Sequence, residues 1–180
     1  MKNATVAKNY AEALLAAAEV KRQVEPFGQL MDAVAGAVAA DERIGVALES
    51  PRVSKAVKAG LLQDALGDIA PPEFVRFLQA VVRRGRQGLF GDIAQAYQGL
   101  VDLKLNRVHA GVTVSAAADS RLQQQMVERL SEVLGKDVRA HFRVDEKILG
   151  GVVVRVGDRI YDGSVKRRLT ALRRKMLAGE

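Results

Sequence analysis

Cysteine is absent from this sequence, and so is tryptophan. Without cysteine there are no disulfides, no thiol nucleophiles and no cysteine-based zinc sites. Aromatic residues make up only 4% of the 180 residues, so the interior must be packed mainly with Ala, Val and Leu, which allows close helix contacts. No apolar run reaches the roughly 18 residues of a membrane-spanning helix. The Ala-rich stretch from Ala13 to Ala18 stops at Glu19, Lys21 and Arg22. The N-terminus lacks the ordered basic segment, apolar core and cleavage site of a secretory signal. A soluble protein that is not exported is the expectation. The 48% hydrophobic and 27% charged residues are ordinary globular composition, enough for one medium domain or two small ones.

Charge is unevenly spread. Residues 1–104 hold 13 Lys/Arg against 12 Asp/Glu, whereas residues 105–180 hold 15 against 9, so nearly all of the net +7 belongs to the second part. Its densest cluster is Lys166, Arg167, Arg168, Arg173, Arg174 and Lys175. Such a cluster favours an acidic partner, whether protein, nucleic acid or membrane surface.

Hydrophobic periodicity divides the chain near Lys104 to Arg107. Before it, apolar residues recur at helical spacing. The stripes are Val6, Tyr10, Ala13, Leu14, Ala17 and Val24; then Phe27, Leu30, Met31, Val34 and Val38; then a short segment from Asp41 to Leu48. Val53, Val57, Leu61, Leu62, Ala65 and Leu66 follow, then Phe74, Phe77, Leu78, Val81 and Val82, and last Leu89, Phe90, Ile93, Tyr97, Leu100 and Val101. Six short helices with brief connections predict a six-helix bundle over residues 1–105.

After the division the period becomes two. Val108, Ala110, Val112 and Val114 alternate with polar residues, as do Val138, Ala140, Phe142 and Val144. Between them Asp119 caps a helix with a face of Leu122, Met126, Val127, Leu130, Val133 and Leu134, ended by Gly135. Two further strands flank a Gly157-Asp158 turn. Ser164 then opens a last helix with Val165, Leu169, Leu172 and Met176 expected inward. Residues 106–180 thus predict a small α+β domain with a mixed or antiparallel sheet. The fold class is α followed by α+β.

Residues that could carry chemistry are few. Gly150-Gly151 is followed by the β-branched run Val152 to Val154, so it suits a bend or close backbone approach better than a phosphate loop, which needs a Lys and a helix. Gly85-Arg86-Gln87-Gly88 suits a helix–helix turn. His109 and His141 lie in the polar phase of two strands; they could face each other if those strands are neighbours, but no third metal ligand is evident. Asp145-Glu146, Asp158 and Asp162 suit turns and caps. No catalytic, cofactor-binding or metal residue is expected. The cationic last helix reads as a solvated face or as a docking surface for an acidic or amphipathic partner helix. Nucleic-acid binding is the other reading, although only Phe142 and Tyr161 could stack after residue 105. An enzyme with an unrecognised carboxylate site is a further alternative. In the first helix, Ala4, Ala7, Ala11, Ala13, Ala16, Ala17 and Ala18 put small side chains on several faces, which suits either high helix propensity or close approach of a partner helix.

Several segments resemble one family. Val6-Ala7-Lys8-Asn9-Tyr10-Ala11-Glu12-Ala13-Leu14 is similar to the opening of ATP synthase delta subunits and of the mitochondrial oligomycin-sensitivity-conferring protein. Gly85-Arg86 with Leu89 is similar to that family's Gly-Arg segment, and Val114-Ser115-Ala116-Ala117 to its Val-x-Ser-Ala strand end. The segment from Val144 through Gly150-Gly151 to Asp158, continuing to Asp162-Gly163-Ser164-Val165, resembles the C-terminal signature nearly position by position. Leu15 departs conservatively from a frequent Phe.

The resemblance implies a non-catalytic peripheral-stalk subunit without cofactor. It implies that the N-terminal bundle binds N-terminal helices of alpha subunits through its first and fifth helices, here Tyr10, Ala13 and Ala17 with Phe77 and Ala80 opposite. It implies that the C-terminal domain holds the C-terminal region of the b subunits, with Lys166, Arg167, Arg173 and Arg174 as candidates on the last helix. Nucleic acid is not among the implied partners, nor is direct membrane insertion. The implied place is the cytoplasmic face of a bacterial inner membrane, as a peripheral part of the ATP synthase.

Overall fold

A computed structural model describes residues 2–178. The chain forms two compact units, residues 1–104 and residues 105–180.

Among the described residues, the first unit contains six α-helices. They are α1 (Lys2–Lys21), α2 (Val24–Ala40), α3 (Glu42–Glu49), α4 (Lys55–Leu66), α5 (Pro72–Arg83) and α6 (Phe90–Lys104), with a 3-10 turn at Gln87–Leu89. Local chemistry sets the ends. Asp41 accepts a hydrogen bond from the Arg43 N–H and Ser54 one from the Val57 N–H, each capping a helix start. Pro72 opens α5, where its missing N–H costs nothing. Val24 belongs to α2 rather than to the stripe of α1, because Arg22 takes a left-handed turn at φ 56° and ends the first helix before it.

The core of this unit is built on Leu14, Phe27, Met31, Phe74, Leu78, Phe90, Ile93 and Tyr97. α1 packs closely on α6 and α2, and only loosely on α5. The buried line of α1 is Ala7, Ala11, Leu14 and Ala18, rotated from the expected stripe. Alanines on that line let α1 approach its neighbours closely. Ala13 is left exposed and Ala17 half-buried. In α4 the inward residues are Ala59, Leu62 and Leu66, while Val57 and Leu61 face solvent, contrary to the apolar pattern.

Tyr97 is fully buried, and its hydroxyl donates to the Val24 carbonyl at 2.8 Å. Burial foremost, then the Glu19 charge, pushes this hydroxyl up from 10.0 to about 12. A raised folded value means stability that is fully present below about pH 10 and is lost as pH rises toward 12. Tyr97→Phe is expected to cost about 1 kcal/mol at neutral pH, because the part-buried Val24 carbonyl loses a donor. It should also flatten the alkaline loss of stability. Urea titrations at neutral and strongly alkaline pH, wild type against variant, check both.

The second unit holds a four-stranded mixed sheet in the order β2-β1-β3-β4, made of β1 (Arg107–Val114), β2 (Asp137–Val144), β3 (Val152–Val156) and β4 (Arg159–Asp162). β1 and β2 are parallel, joined by α7 (Ser120–Leu134); β3 runs antiparallel to β1, and β4 antiparallel to β3. A parallel pair needs such a crossover, whereas β3 and β4 need only the tight Gly157-Asp158 turn, with Gly157 at φ 56°. Asp119 caps α7 by accepting from the Leu122 N–H at 2.7 Å, and Gly135 ends it in the left-handed conformation. One sheet face supplies the core: Ala110, Val112, Val114, Val138 and Val154, under Met126, Leu130 and Leu134 of α7. Val133 and Leu122 lie outside that contact and are exposed.

The last helix, α8 (Val165–Ala178), corrects an expectation. Ser164 caps it by accepting from the Arg167 N–H. The apolar stripe is not inward: Val165, Leu169, Leu172 and Met176 are 38%, 53%, 55% and 74% exposed. Periodicity reports that a helix has an apolar face; it does not report whether that face is covered within the same chain.

Candidate functional site

Two surfaces stand out, one in each unit. In the first, α1 and α5 border a groove of about 570 Å³ lined by Val6, Asn9, Tyr10, Ala13, Phe77, Ala80, Arg84 and Arg86. The groove follows from side-chain size. α1 and α5 meet loosely, and the small Ala13 and Ala80 leave space between the larger Tyr10 and Phe77. Those two rings are half-buried and meet edge to face, with centroids 6.2 Å apart at 76°. Their attachment to the core beneath holds the floor of the groove in place.

Four of the five residues expected on this surface are therefore brought together: Tyr10, Ala13, Phe77 and Ala80. Ala17 is not; half-buried further along α1, it does not line the groove. Sequence reasoning missed Asn9, Arg84 and Arg86 as lining residues. Arg86 was legible only as part of a turn; Arg84, which ends α5 as its C-cap, was not marked by any sequence signal.

In the second unit, α8 carries Lys166, Arg167, Arg168, Arg173, Arg174 and Lys175 and no carboxylate. These cations differ in surroundings. Lys166, Arg167 and Arg174 line a shallow hollow with Asp162, Ser164, Thr170 and Ala171, and Arg167 donates to the Asp162 carbonyl at 3.4 Å. Hydrogen bonds from Ser164, with a smaller contribution from the Arg167 charge, hold the Asp162 carboxyl below its ordinary range. Asp162 therefore serves as a structural acceptor at the start of α8. Asp145 likewise accepts from the Lys147 N–H, and Asp158 sits in the β3–β4 turn.

A further groove, of about 700 Å³, lies between α7 and the sheet, bordered by Val112, Leu122, Met126, Leu130, Val152 and Val154. It exists because α7 packs mainly on β2 and covers β3 less closely, leaving space beside Val152 and Val154. No sequence signal marked it, since strand order decides which valines lie beside the helix.

β1 and β2 are neighbours, and they stack the two imidazoles of His109 and His141 with centroids 5.8 Å apart on the exposed side of the sheet. Among the described residues, no group of three or more His, Asp or Glu is placed to hold a metal ion. Gly150-Gly151 serves close packing. The Gly163 carbonyl would lie 2.5 Å from a Cβ on Gly151, and the Val165 N–H donates to the Gly150 carbonyl at 3.0 Å. Among the described residues, no helix is long and apolar enough to cross a membrane.

Comparison with known proteins covers nearly the whole chain. The family model described as ATP synthase delta (OSCP) subunit matches residues 6–176. ATP synthase subunit delta of Gemmatimonas aurantiaca is 46% identical over 172 residues, which is 96% of this chain and 93% of the relative. ATP synthase subunit delta of Chlorobium phaeovibrioides is 32% identical over 180 residues, 100% of this chain and 99% of the relative. A chain in the cryo-EM structure of the Toxoplasma gondii mitochondrial ATP synthase hexamer shares the fold with a TM-score of 0.62 at 22% identity, covering 95% of this chain and 97% of that one.

Proposed function

The chain belongs to the ATP synthase delta (OSCP) subunit family, and from that membership we propose that its two units grip opposite parts of a stator. It is a peripheral-stalk subunit of an F-type ATP synthase. It links the catalytic head to the stalk, so that rotor torque drives ATP synthesis at sites in other subunits. It performs no chemical step itself.

The observation that carries the finer reading is the groove between α1 and α5. It is floored by Tyr10 and Phe77 and edged by the small Ala13 and Ala80, a lining that admits an amphipathic helix closely. In this reading residues 1–104 form a six-helix bundle that binds N-terminal helices of alpha subunits. Arg84 and Arg86 give the groove a cationic end that favours an acidic residue on the incoming helix. The second unit holds the C-terminal region of the b subunits, with Lys166, Arg167, Arg173 and Arg174 as the first candidates. A stator joint must resist torque without slipping, and buried apolar anchors do this better than exposed ion pairs, which contribute roughly 0–1 kcal/mol each. The proposed place is the cytoplasmic face of a bacterial inner membrane, reached through these partners and without insertion.

Purifying the tagged chain from its native membrane tests this reading. Recovery of alpha, beta and b subunits in one complex is the expected result. Recovery of the chain without any of them would overturn the stator role.

A further inference from the structure

Two apolar surfaces of the second unit lack a close cover. The first is the stripe on α8. Val165, Leu169, Leu172 and Met176 are spaced by four, three and four positions, so at about 100° per residue they fall within a seam of roughly 60°. Lys166 and Arg173 border it on one side, Arg168 and Lys175 on the other, and α8 carries no acid. The second surface is the groove beside α7. Val112, Val152 and Val154 of the sheet line it, with Glu128, Arg129 and Glu132 along the α7 side. Arg129 is held by Glu132 at 3.0 Å, which leaves the Glu128 carboxylate as excess negative charge there. No described residue of α8 lines this groove.

Strand order brings the two surfaces to one place. β1 and β4 run in the same direction, since each is antiparallel to β3, and both end where Val114 pairs with Val152 and Asp162 with Val153. α7 follows β1 from that end of the sheet, and α8 follows β4 from the same end. The Gly163 N–H donates to the Val152 carbonyl at 2.9 Å, so α8 starts beside a residue that lines the groove. A helix is about 10 Å across and strands lie about 4.8 Å apart, so one helix covers about two strands. α7 packs mainly on β2, which leaves room for a second helix over β3 and β4. Tyr161 of β4, the register partner of Val154, stands exposed on that half of the face. α7 has 15 residues and α8 has 14, so the two helices match in length.

We propose that in the free chain α8 closes into the groove beside α7, setting Leu169, Leu172 and Met176 against Leu122, Val152 and Tyr161. The movement turns α8 about Gly163 and Ser164 and gives up the Val165 N–H bond to the Gly150 carbonyl. The closed unit has two layers, two parallel helices over four strands, which is how an amphipathic helix and a half-covered sheet ordinarily bury their apolar faces. One cationic row of α8 then lies along Glu128 and Glu132. The occupant is the same chain because the Gly163-Ser164 connection is so short, and a short tether gives an effective concentration on the order of millimolar. Two copies of α8 placed seam to seam would set cations against cations. Closure also hides a row of large apolar side chains that would otherwise promote association. It stands or falls independently of the stator reading.

The chain has no Trp and no Cys, so unique reporters can be placed in the full-length protein. Leu172 is more than half exposed with α8 open, so Leu172→Trp reads closure directly. Its emission is expected to lie to the blue of the guanidinium-unfolded chain and to resist acrylamide quenching. Adding Leu122→Asp, which sets a charge in the groove, should shift the emission back to the red. Adding E128K with E132K instead should shift it part of the way, because the cationic row of α8 then meets cations. Glu128 and Glu132 are exposed, so this pair keeps the comparison sound even if Leu122→Asp lowers the thermal midpoint. A second experiment pairs Leu169→Cys with either Gln125→Cys or Gln124→Cys. Gln125 lines the groove and Gln124 does not, so mild oxidation should crosslink the first pair within one chain and leave the second as free thiols. Emission from Leu172→Trp as red as in the unfolded chain, indifference to both groove changes, or equal crosslinking of the two cysteine pairs would overturn the proposal. Crosslinked dimers, with emission that reddens on dilution, would overturn it too and assign the groove to a second copy.

Discussion

Tyr10→Asp is expected to weaken binding of an alpha-subunit N-terminal peptide by about 100-fold, which corresponds to roughly 3 kcal/mol. Two effects combine. A carboxylate beside the Phe77 ring must either stay hydrated, which keeps the partner helix out, or be desolvated, a cost that Arg84 and Arg86 in the same groove offset only in part. The variant also removes the edge-to-face contact of Tyr10 with Phe77, a contact of about 0.5–1.5 kcal/mol beyond burial, so the groove floor loosens. Because Tyr10 packs partly on the core, some loss of stability accompanies the loss of affinity. Ala13→Glu separates the two. Ala13 is exposed, so the change should leave stability within about 0.5 kcal/mol while still placing a charge in the groove. Tyr10→Phe keeps the ring and should keep most of the affinity. Titration calorimetry with the peptide, beside thermal unfolding of each variant, checks the set. Unchanged affinity in both Tyr10→Asp and Ala13→Glu would remove this groove as the head-binding site.

Gly151→Ala is expected to destabilise the second unit by about 3 kcal/mol, from left-handed backbone strain together with a steric clash. Gly151 sits at φ 78°, which disfavours a side chain by itself. A Cβ there would also lie 2.5 Å from the Gly163 carbonyl and 3.3 Å from Ser164 Cα, both backbone atoms that cannot rotate away. Gly157→Ala is the control. It too has positive φ, at 56°, but a Cβ would meet nothing within 4 Å, so only the conformational cost of about 1 kcal/mol is expected. Calorimetric unfolding of both variants reads the difference. If they lost equal stability, the close approach of the β3 start to the α8 start would not be the constraint. The functional consequence should be one-sided. Gly163 and Ser164 lead into α8, so binding at α8 should fall in Gly151→Ala, while peptide binding to the α1–α5 groove should not change.

These two predictions draw on different kinds of information. Tyr10, Ala13, Phe77 and Ala80 were named from sequence through the resemblance of the first helix to a known family, and the structure lines one groove with them. Ala17 shared the same helical phase in the sequence. It fails to line the groove because the space between α1 and α5 lies further toward the α1 start, a fact about two helices that no single stripe contains. The role of Gly151 was legible only as a need for a bend or close approach; that the approaching atom is the Gly163 carbonyl required the fold.

What the sequence determined by itself is what depends on neighbours along the chain. The change of period near Lys104, the caps at Asp119 and Ser164, the stop at Gly135 and the turn at Gly157-Asp158 are all local, because hydrogen bonds within a turn and backbone preferences within a residue set them. What only the tertiary structure decided is coverage. Val165, Leu169, Leu172 and Met176 form as regular an apolar stripe as any on α2 or α5, yet Leu169, Leu172 and Met176 are more than half exposed and only Val165 packs closely, against Gly150. Periodicity records that a face is apolar, whereas burial depends on what packs against it. In α8 that leaves an uncovered seam between two rows of positive charge.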